Sequence, residues 1–213
     1  VTTKKGKAGK FSVSYSYDMA AKFIYNPYEL MDAQDIMSTA MKQWEENGSS
    51  GNPPYTVNQL AYKGPGTDWF KELTRTATTQ THNVQVAGGS DRVNVAASIS
   101  YVGDEGILPN TNYDRMTARL NAEFKISDYV NAGATSYVTH ASKNYLNMGQ
   151  TVSTDNTIYA IFQADPLSTN SPEGINVFGE KGRRNGLYDD IMSRDFKNTT
   201  DNANFTLWGE AKI

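Results

Sequence analysis

From Tyr113 to Ile126 the chain alternates without a fault. Met116, Ala118, Leu120, Ala122, Phe124 and Ile126 are apolar, while Arg115, Thr117, Arg119, Asn121, Glu123 and Lys125 are polar or charged. A period of two puts the first set on one face of a β-strand and the second on the other. The run is long beside the ~5–6 residues of an ordinary strand. The same alternation predicts strands over Phe11–Asp18, Thr79–Ala87, Val93–Val102 and Ala203–Ile213, and a more blurred one from Val130 to His140. Gly88-Gly89-Ser90-Asp91 and Ile126-Ser127-Asp128-Tyr129 are tight-turn signals between neighbouring strands.

The connections predict helices. Leu30, Ile36, Met37, Ala40, Met41 and Trp44 recur near helical spacing over Tyr28–Asn47, after the Asn26-Pro27 break and before Gly48. Asp68–Leu73 reads as a short helix with Asp68 as its N-cap. Thr154–Ala164 carries Ile158, Ile161 and Phe162 on one side and ends at Asp165-Pro166. Elsewhere between Ala141 and Asn198 no periodicity survives, and so long a structureless connection usually marks a functional loop.

Long (19–78), short (88–91), medium (103–112), short (127–129) and very long (141–200) connections follow one another. One end of the sheet therefore carries tight turns and the other all the elaborated loops. Outer-membrane β-barrels have this asymmetry, with strands facing lipid on one parity and a polar lumen on the other. Tyr101, Tyr113 and Tyr129 lie near strand ends, where an aromatic girdle sits. The predicted fold is mainly β: an antiparallel meander forming part of a large transmembrane barrel, with helical segments in long outer loops. A soluble β-rich module that binds carbohydrate is the alternative, because sandwich strands alternate too.

Composition narrows the chemistry. With 213 residues there is room for one large domain or two small ones. A net charge of −3 excludes the basic surface of a nucleic-acid binder. The absence of cysteine removes disulfides, thiolate metal sites and cysteine nucleophiles. No stretch approaches the ~18 apolar residues of a membrane helix, which leaves barrels untouched. The lysine-rich opening, Val1–Lys10, lacks phosphate-loop spacing. His82 and His140, the only histidines, have no serine or carboxylate constellation beside them, so no enzymatic role is expected. Asp189 and Asp190 lack the alternating oxygen spacing of a calcium loop, and no metal or cofactor is expected. On the long-loop side, Trp44, Tyr62, Trp69 and Tyr188 are the candidate ligand contacts, since aromatic rings stack on sugars. Packing within the loops is the plainer role for each.

Several short motifs, in order, resemble one family. Val1–Lys10 with the serine and tyrosine strand after it looks like the junction between plug and barrel in the SusC/RagA family of TonB-dependent outer-membrane transporters. So do Thr67-Asp-Trp69 with Arg75-Thr76-Ala77, Gln80-Thr-His82-Asn83, and Val86-x-Gly88-Gly89-Ser90. The match continues through Ala97–Tyr101, Glu105-Gly106-Ile107, Tyr113-Asp-Arg115 and Arg119-Leu120-Asn121. It spans roughly residues 1–140. The resemblance implies that residues 1–10 end a plug domain and residues 11–213 form the N-terminal part of a barrel in a Gram-negative outer membrane. It further implies a SusD-like surface lipoprotein as a lid, TonB acting through a plug region outside this chain, oligosaccharide or peptide cargo, and lipid against the wall.

Overall fold

A computed structural model describes residues 11–26, 28–145, 157–181, 186–193 and 196–212. The expected plug segment, residues 1–10, lies outside the described residues. Six strands, β1 (Ser12–Lys22), β2 (Ala77–Gly89), β3 (Val93–Glu105), β4 (Asn112–Lys125), β5 (Val130–Tyr145) and β6 (Phe196–Ala211), form one sheet in sequential order. Every neighbouring pair is antiparallel, so the sheet is a simple meander. Two short turns close one end: Ser90 N–H donates to Val93 O at 2.7 Å, and Ile126 N–H to Val130 O at 2.9 Å. Connections 23–76, 106–111 and 146–195 all emerge at the other end.

Register carries each alternation across the sheet without slipping. Val13, Val86, Ala97, Leu120, Ser136 and Phe205 form one cross-strand row. Tyr15, Val84, Ile99, Ala118, Val138 and Ala203 form the next. On the opposite face, Ser16, Asn83, Ser100, Thr117, Thr139 and Asn202 line up, as do Ser14, Gln85, Ser98, Arg119, Tyr137 and Asn204. Hydroxyls and amides knit that polar face, with Thr117 Oγ1 and Thr139 Oγ1 3.1 Å apart. The predicted split of Met116, Leu120 and Phe124 from Arg115, Arg119 and Glu123 is the one the ladder produces.

Most of the strands run on past their predicted ends at the long-loop side, and β2 also reaches Gly89 at the short-turn side. β1 continues from Asp18 to Lys22, β5 from His140 to Tyr145, and β6 begins at Phe196 instead of Ala203. Beyond the row Tyr17, His82, Tyr101, Met116, His140 and Asp201, the apolar face turns polar: the following row is Met19, Gln80, Gly103, Asp114, Ser142 and Thr199. With both faces polar, hydropathy no longer marks a strand, but backbone pairing does not depend on hydropathy and carries on. Side chains brace the extension: Lys22 and Thr79 both reach Asp104, and Thr78 binds Glu105 through its N–H at 3.1 Å and its hydroxyl at 2.7 Å.

The helices sit in the loops: α1 (Ala33–Glu46), α2 (Val57–Leu60), α3 (Trp69–Leu73), α4 (Thr157–Phe162) and α5 (Gly186–Ser193). α1 starts later than the spacing of Leu30 predicts. Asp32 closes a capping box with Asp35, accepting its N–H at 2.9 Å, and this satisfies otherwise orphaned donors at that point. The residues before it stay outside the helix, with Leu30 and Met31 exposed. Asp68 caps α3 as expected, accepting Lys71 N–H at 3.0 Å. In the segment 141–200, α4 falls within the helix expected over Thr154–Ala164, while the strand residues at both ends and α5 lie where no periodicity is visible.

Candidate functional site

Neither face of the sheet holds a packed core. Among the described residues, the only buried apolar side chains in strands are Ala77 and Ala96. The larger residues of the apolar face are open: Leu120 is 48% exposed, Phe205 69% and Leu207 70%. Packing is concentrated in the loops. Trp69 and Leu73 of α3, Ile161 of α4 and Ile191 of α5 make one buried cluster, and Leu108 from connection 106–111 leans on it. Ala33 and Met37 of α1 with Leu167 make a second, flanked by Tyr55, Tyr62 and Phe178. All three long connections therefore fuse into one layer over the ends of the strands.

Polar contacts lock that layer together. Thr67 N–H donates to Pro166 O at 2.8 Å, Thr67 Oγ1 to Ser168 O at 2.6 Å, and Trp69 Nε1 to Asp165 O at 2.8 Å. Asn110 Nδ2 donates to Ile191 O at 3.1 Å and Met192 O at 2.9 Å, tying the middle connection to α5. Gly66 stands where the first and third connections cross. Its φ of +85° suits glycine, and a Cβ there would lie 2.5 Å from Pro166 O.

Beside this crossing opens a cleft of about 800 Å³. Trp69 and Phe162 border it, with Tyr55 and Tyr28 on its other flanks. Phe162 stacks on Phe70 with ring centroids 5.7 Å apart, and Tyr28 meets Phe162 edge-on at 5.9 Å. Glu29, Asp32, Asp68 and Asp165 also line the cleft, and among the described residues no lysine or arginine does. Asp165 accepts Leu167 N–H at 2.9 Å. Burial, and secondarily the negative charge of Asp165, push the Tyr55 phenol above the usual tyrosine range.

The four aromatic candidates separate. Trp69 is buried at the cleft wall with its indole N–H satisfied. Tyr188 packs behind it, ring centroids 6.2 Å apart. Tyr62 is in the other cluster, edge-on to Phe178 at 5.7 Å. Trp44 lies at the far end of α1, donating to Ser50 O at 3.1 Å. Only Trp69 of the four borders the cleft. Of the cleft's other aromatic residues, helical spacing takes in Tyr28 and Phe162 as members of helices, and neither position marks a binding role. The available signal was the density of aromatic and acidic residues beside Pro27 and Pro166.

Elsewhere polar groups serve the scaffold. A hollow of about 450 Å³ near Arg75 and Asn144 holds Glu105 and Asp114, both engaged: Glu105 with Thr78, Asp114 with Tyr101 and Asn112 at 2.6 Å each. His82 Nδ1 lies 2.9 Å from the Tyr15 hydroxyl and His140 Nδ1 2.6 Å from Asp201 Oδ1. Both histidines belong to the row where the apolar face ends. The described residues include no cluster of metal-ligating side chains. Asp190, one of the paired carboxylates, has its side chain outside the described residues.

Comparison with known proteins places this arrangement. No family model matches the chain. It is 30% identical over 122 residues to the TonB-dependent receptor SusC of Bacteroides thetaiotaomicron, covering 57% of this chain and 11% of that protein. TonB-dependent receptor P3 of Formosa agariphila is 26% identical over 145 residues, covering 68% of this chain and 13% of its own length. The RagAB peptide importer in its closed-closed state superposes with a TM-score of 0.69 at 18% identity, over 99% of this chain and 27% of that one. A further RagAB peptide transporter structure gives 0.70 at 17% identity. The chain thus spans a small part of the relatives it matches. Its sequence resembles SusC-type TonB-dependent receptors, and its six-stranded meander has the fold of part of a RagAB barrel chain.

Proposed function

We propose that this chain is a stretch of barrel wall, with its outer loops, from a TonB-dependent outer-membrane transporter of the SusC/RagA type. One observation carries the reading: an apolar face that runs across six strands, interrupted at Ser136, with large side chains such as Leu120, Phe124, Phe205 and Leu207 exposed, opposite a polar face. Exposed apolar patches on soluble monomers rarely exceed a few hundred Å². The soluble carbohydrate-binding alternative gives such a face nothing to touch, whereas a bilayer covers it. Ten residue steps run from Met116, where the face turns polar, to Ile126 at the short turn. At ~3.3 Å per step and a tilt of ~40°, that rise is ~25 Å, the height of the apolar band on outer-membrane barrels. Tyr17, His82 and Tyr101 then lie at one interface and Tyr129 at the other.

The polar face, with Arg115, Arg119 and Glu123, lines the lumen, and the fused loop layer faces outward. A SusD-like lipoprotein closes over that layer, TonB acts through a plug region, and the cargo is an oligosaccharide or a peptide. The RagAB relatives are described as peptide importers, which supports a partnered transporter. Trp69 is the aromatic candidate best placed to meet cargo, with Trp44, Tyr62 and Tyr188 serving the layer around it. The test is to express the full-length protein with its flanking sequence and fractionate the cells. Recovery in the outer-membrane fraction, released only by detergent, is expected. Recovery in a soluble fraction without detergent overturns the reading.

A further inference from the structure

The geometry points to the cleft between the first and third long connections as a binding site for a cationic peptide segment, one presenting a lysine or arginine beside an apolar side chain. This rests on the outward orientation of the loops proposed above and adds a ligand class to it. The cleft is open, and at about 800 Å³ it has room for a few side chains. Its wall is rigid, because Gly66 and Pro166 cross at van der Waals limits and three hydrogen bonds fix Thr67 and Trp69 against the third connection. An aromatic wall offers apolar contact and the ring faces on which a guanidinium or ammonium group is held.

Charge decides the sign of the ligand. Glu29, Asp32, Asp68 and Asp165 border the space; three of them accept backbone N–H groups, and among the described residues no basic side chain lines it. None of the four joins a salt bridge among the described residues. The Tyr55 phenol on this lining is raised first by burial and second by the negative charge of Asp165. An anionic oligosaccharide or an acidic peptide would meet repulsion here. A neutral glycan can stack on the rings and donate its hydroxyls to the carboxylates, but it leaves their negative charge unbalanced. A basic peptide satisfies both features at once.

The test uses the full-length protein in detergent micelles and two blocked tripeptides, Arg-Phe-Arg and Glu-Phe-Glu, with affinity measured calorimetrically. The basic peptide should bind about tenfold or more tightly than the acidic one, with the preference shrinking as salt rises. Glu29→Gln and Asp165→Asn should each weaken the basic peptide by about two- to fivefold, the range of partly exposed charge pairs. Asn at 165 keeps an oxygen for Leu167 N–H, and Tyr28→Ala at the exposed rim gives a third variant that leaves the folded layer intact. Equal affinity for both peptides overturns the proposal. So do unchanged affinities in all three variants at unchanged melting temperature, or displacement of the peptide by a glucosamine trimer at lower concentration than by Arg-Phe-Arg itself. Outer-membrane fractionation reports on the wall alone, so failure of the cleft and failure of the barrel are told apart.

Discussion

A single arginine placed on the apolar face measures what that face touches. Leu120 lies four residues from Met116 and six from Ile126, which at ~3.3 Å per residue and ~40° of tilt sets it ~10 Å below one boundary and ~15 Å above the other. In the proposed barrel wall that is close to the middle of the hydrocarbon. Leu120→Arg should therefore destabilise the folded full-length protein by ~2–4 kcal/mol in a bilayer, the penalty for arginine at mid-depth. Met116→Arg, at the boundary row beside His140 and Tyr101, should cost ~0–1 kcal/mol. Asn121→Arg, one residue from Leu120 but on the polar face, should fall within ~0.5 kcal/mol of wild type. Guanidinium titration of protein refolded into phosphatidylcholine vesicles, followed by tryptophan fluorescence, reads all three. The order Leu120, Met116, Asn121 is the signature of a lipid-covered face. A Leu120→Arg penalty no larger than that of Asn121→Arg would refute it, because an exposed face in water tolerates arginine equally well on either side.

Three further outcomes follow from the loops and turns. Ile191→Ala empties a fully buried site shared by all three long connections and should cost ~2–5 kcal/mol, while Val57→Ala at an exposed position should cost under ~0.5 kcal/mol; differential protease sensitivity of the loops reads the contrast. Gly66→Ala must accommodate both a φ of +85° and a contact at 2.5 Å, so the loop layer should lose ~1–3 kcal/mol in thermal unfolding, and an unchanged transition would deny that the crossing is tight. In the β4–β5 turn, Asp128 accepts a hydrogen bond from Lys125 at 2.7 Å, which holds its carboxyl below the usual carboxylate range. Its contribution is then complete above the unfolded value of ~3.9 and fades as pH falls from there through the depressed one; Lys125→Met should return the Asp128 titration, followed by NMR, to the ordinary range.

Sequence patterning located the wall well and the loop layer poorly, for physical reasons. A strand with lipid on one side and water on the other must alternate, so Tyr113–Ile126 announced itself and its faces were assignable to the residue. The signal failed where alternation stops: Lys197–Asn202 is polar on both faces and Met19-Ala20-Ala21-Lys22 does not alternate, yet backbone pairing extends the strands through both. In the loops, α1 was recognised by its spacing but mis-started, since the Asp32–Asp35 box outweighs the helical spacing of Leu30. The fused layer was hidden altogether. Its clusters join Trp69 to Ile161 and Ile191, residues separated by about ninety and thirty positions, and no local period records such a meeting. The cleft inherits that obscurity, being built from both sides of the crossing.

This division has a consequence for how stability and recognition are related in the molecule. The wall is held by its ladders and by whatever covers its apolar face, with almost no side-chain core of its own. The loop layer has the buried clusters and a dense set of cross-loop hydrogen bonds. Next to the strand ends, Arg75 ties two of the connections together: its N–H donates to Ile107 O at 2.8 Å and its Nε to Gly106 O at 3.1 Å. A substitution in the layer, such as Ile191→Ala, should therefore open the cleft while the ladders persist, because no wall residue loses a partner. A substitution in the lipid face, such as Leu120→Arg, should unfold wall and layer together, because the layer is anchored on the strand ends that the wall aligns. Loops hardened in this way can hold a preformed cleft above a wall whose own sequence is constrained only to alternate, and so the ligand surface can change residue by residue without touching the pattern that keeps the strands in the membrane.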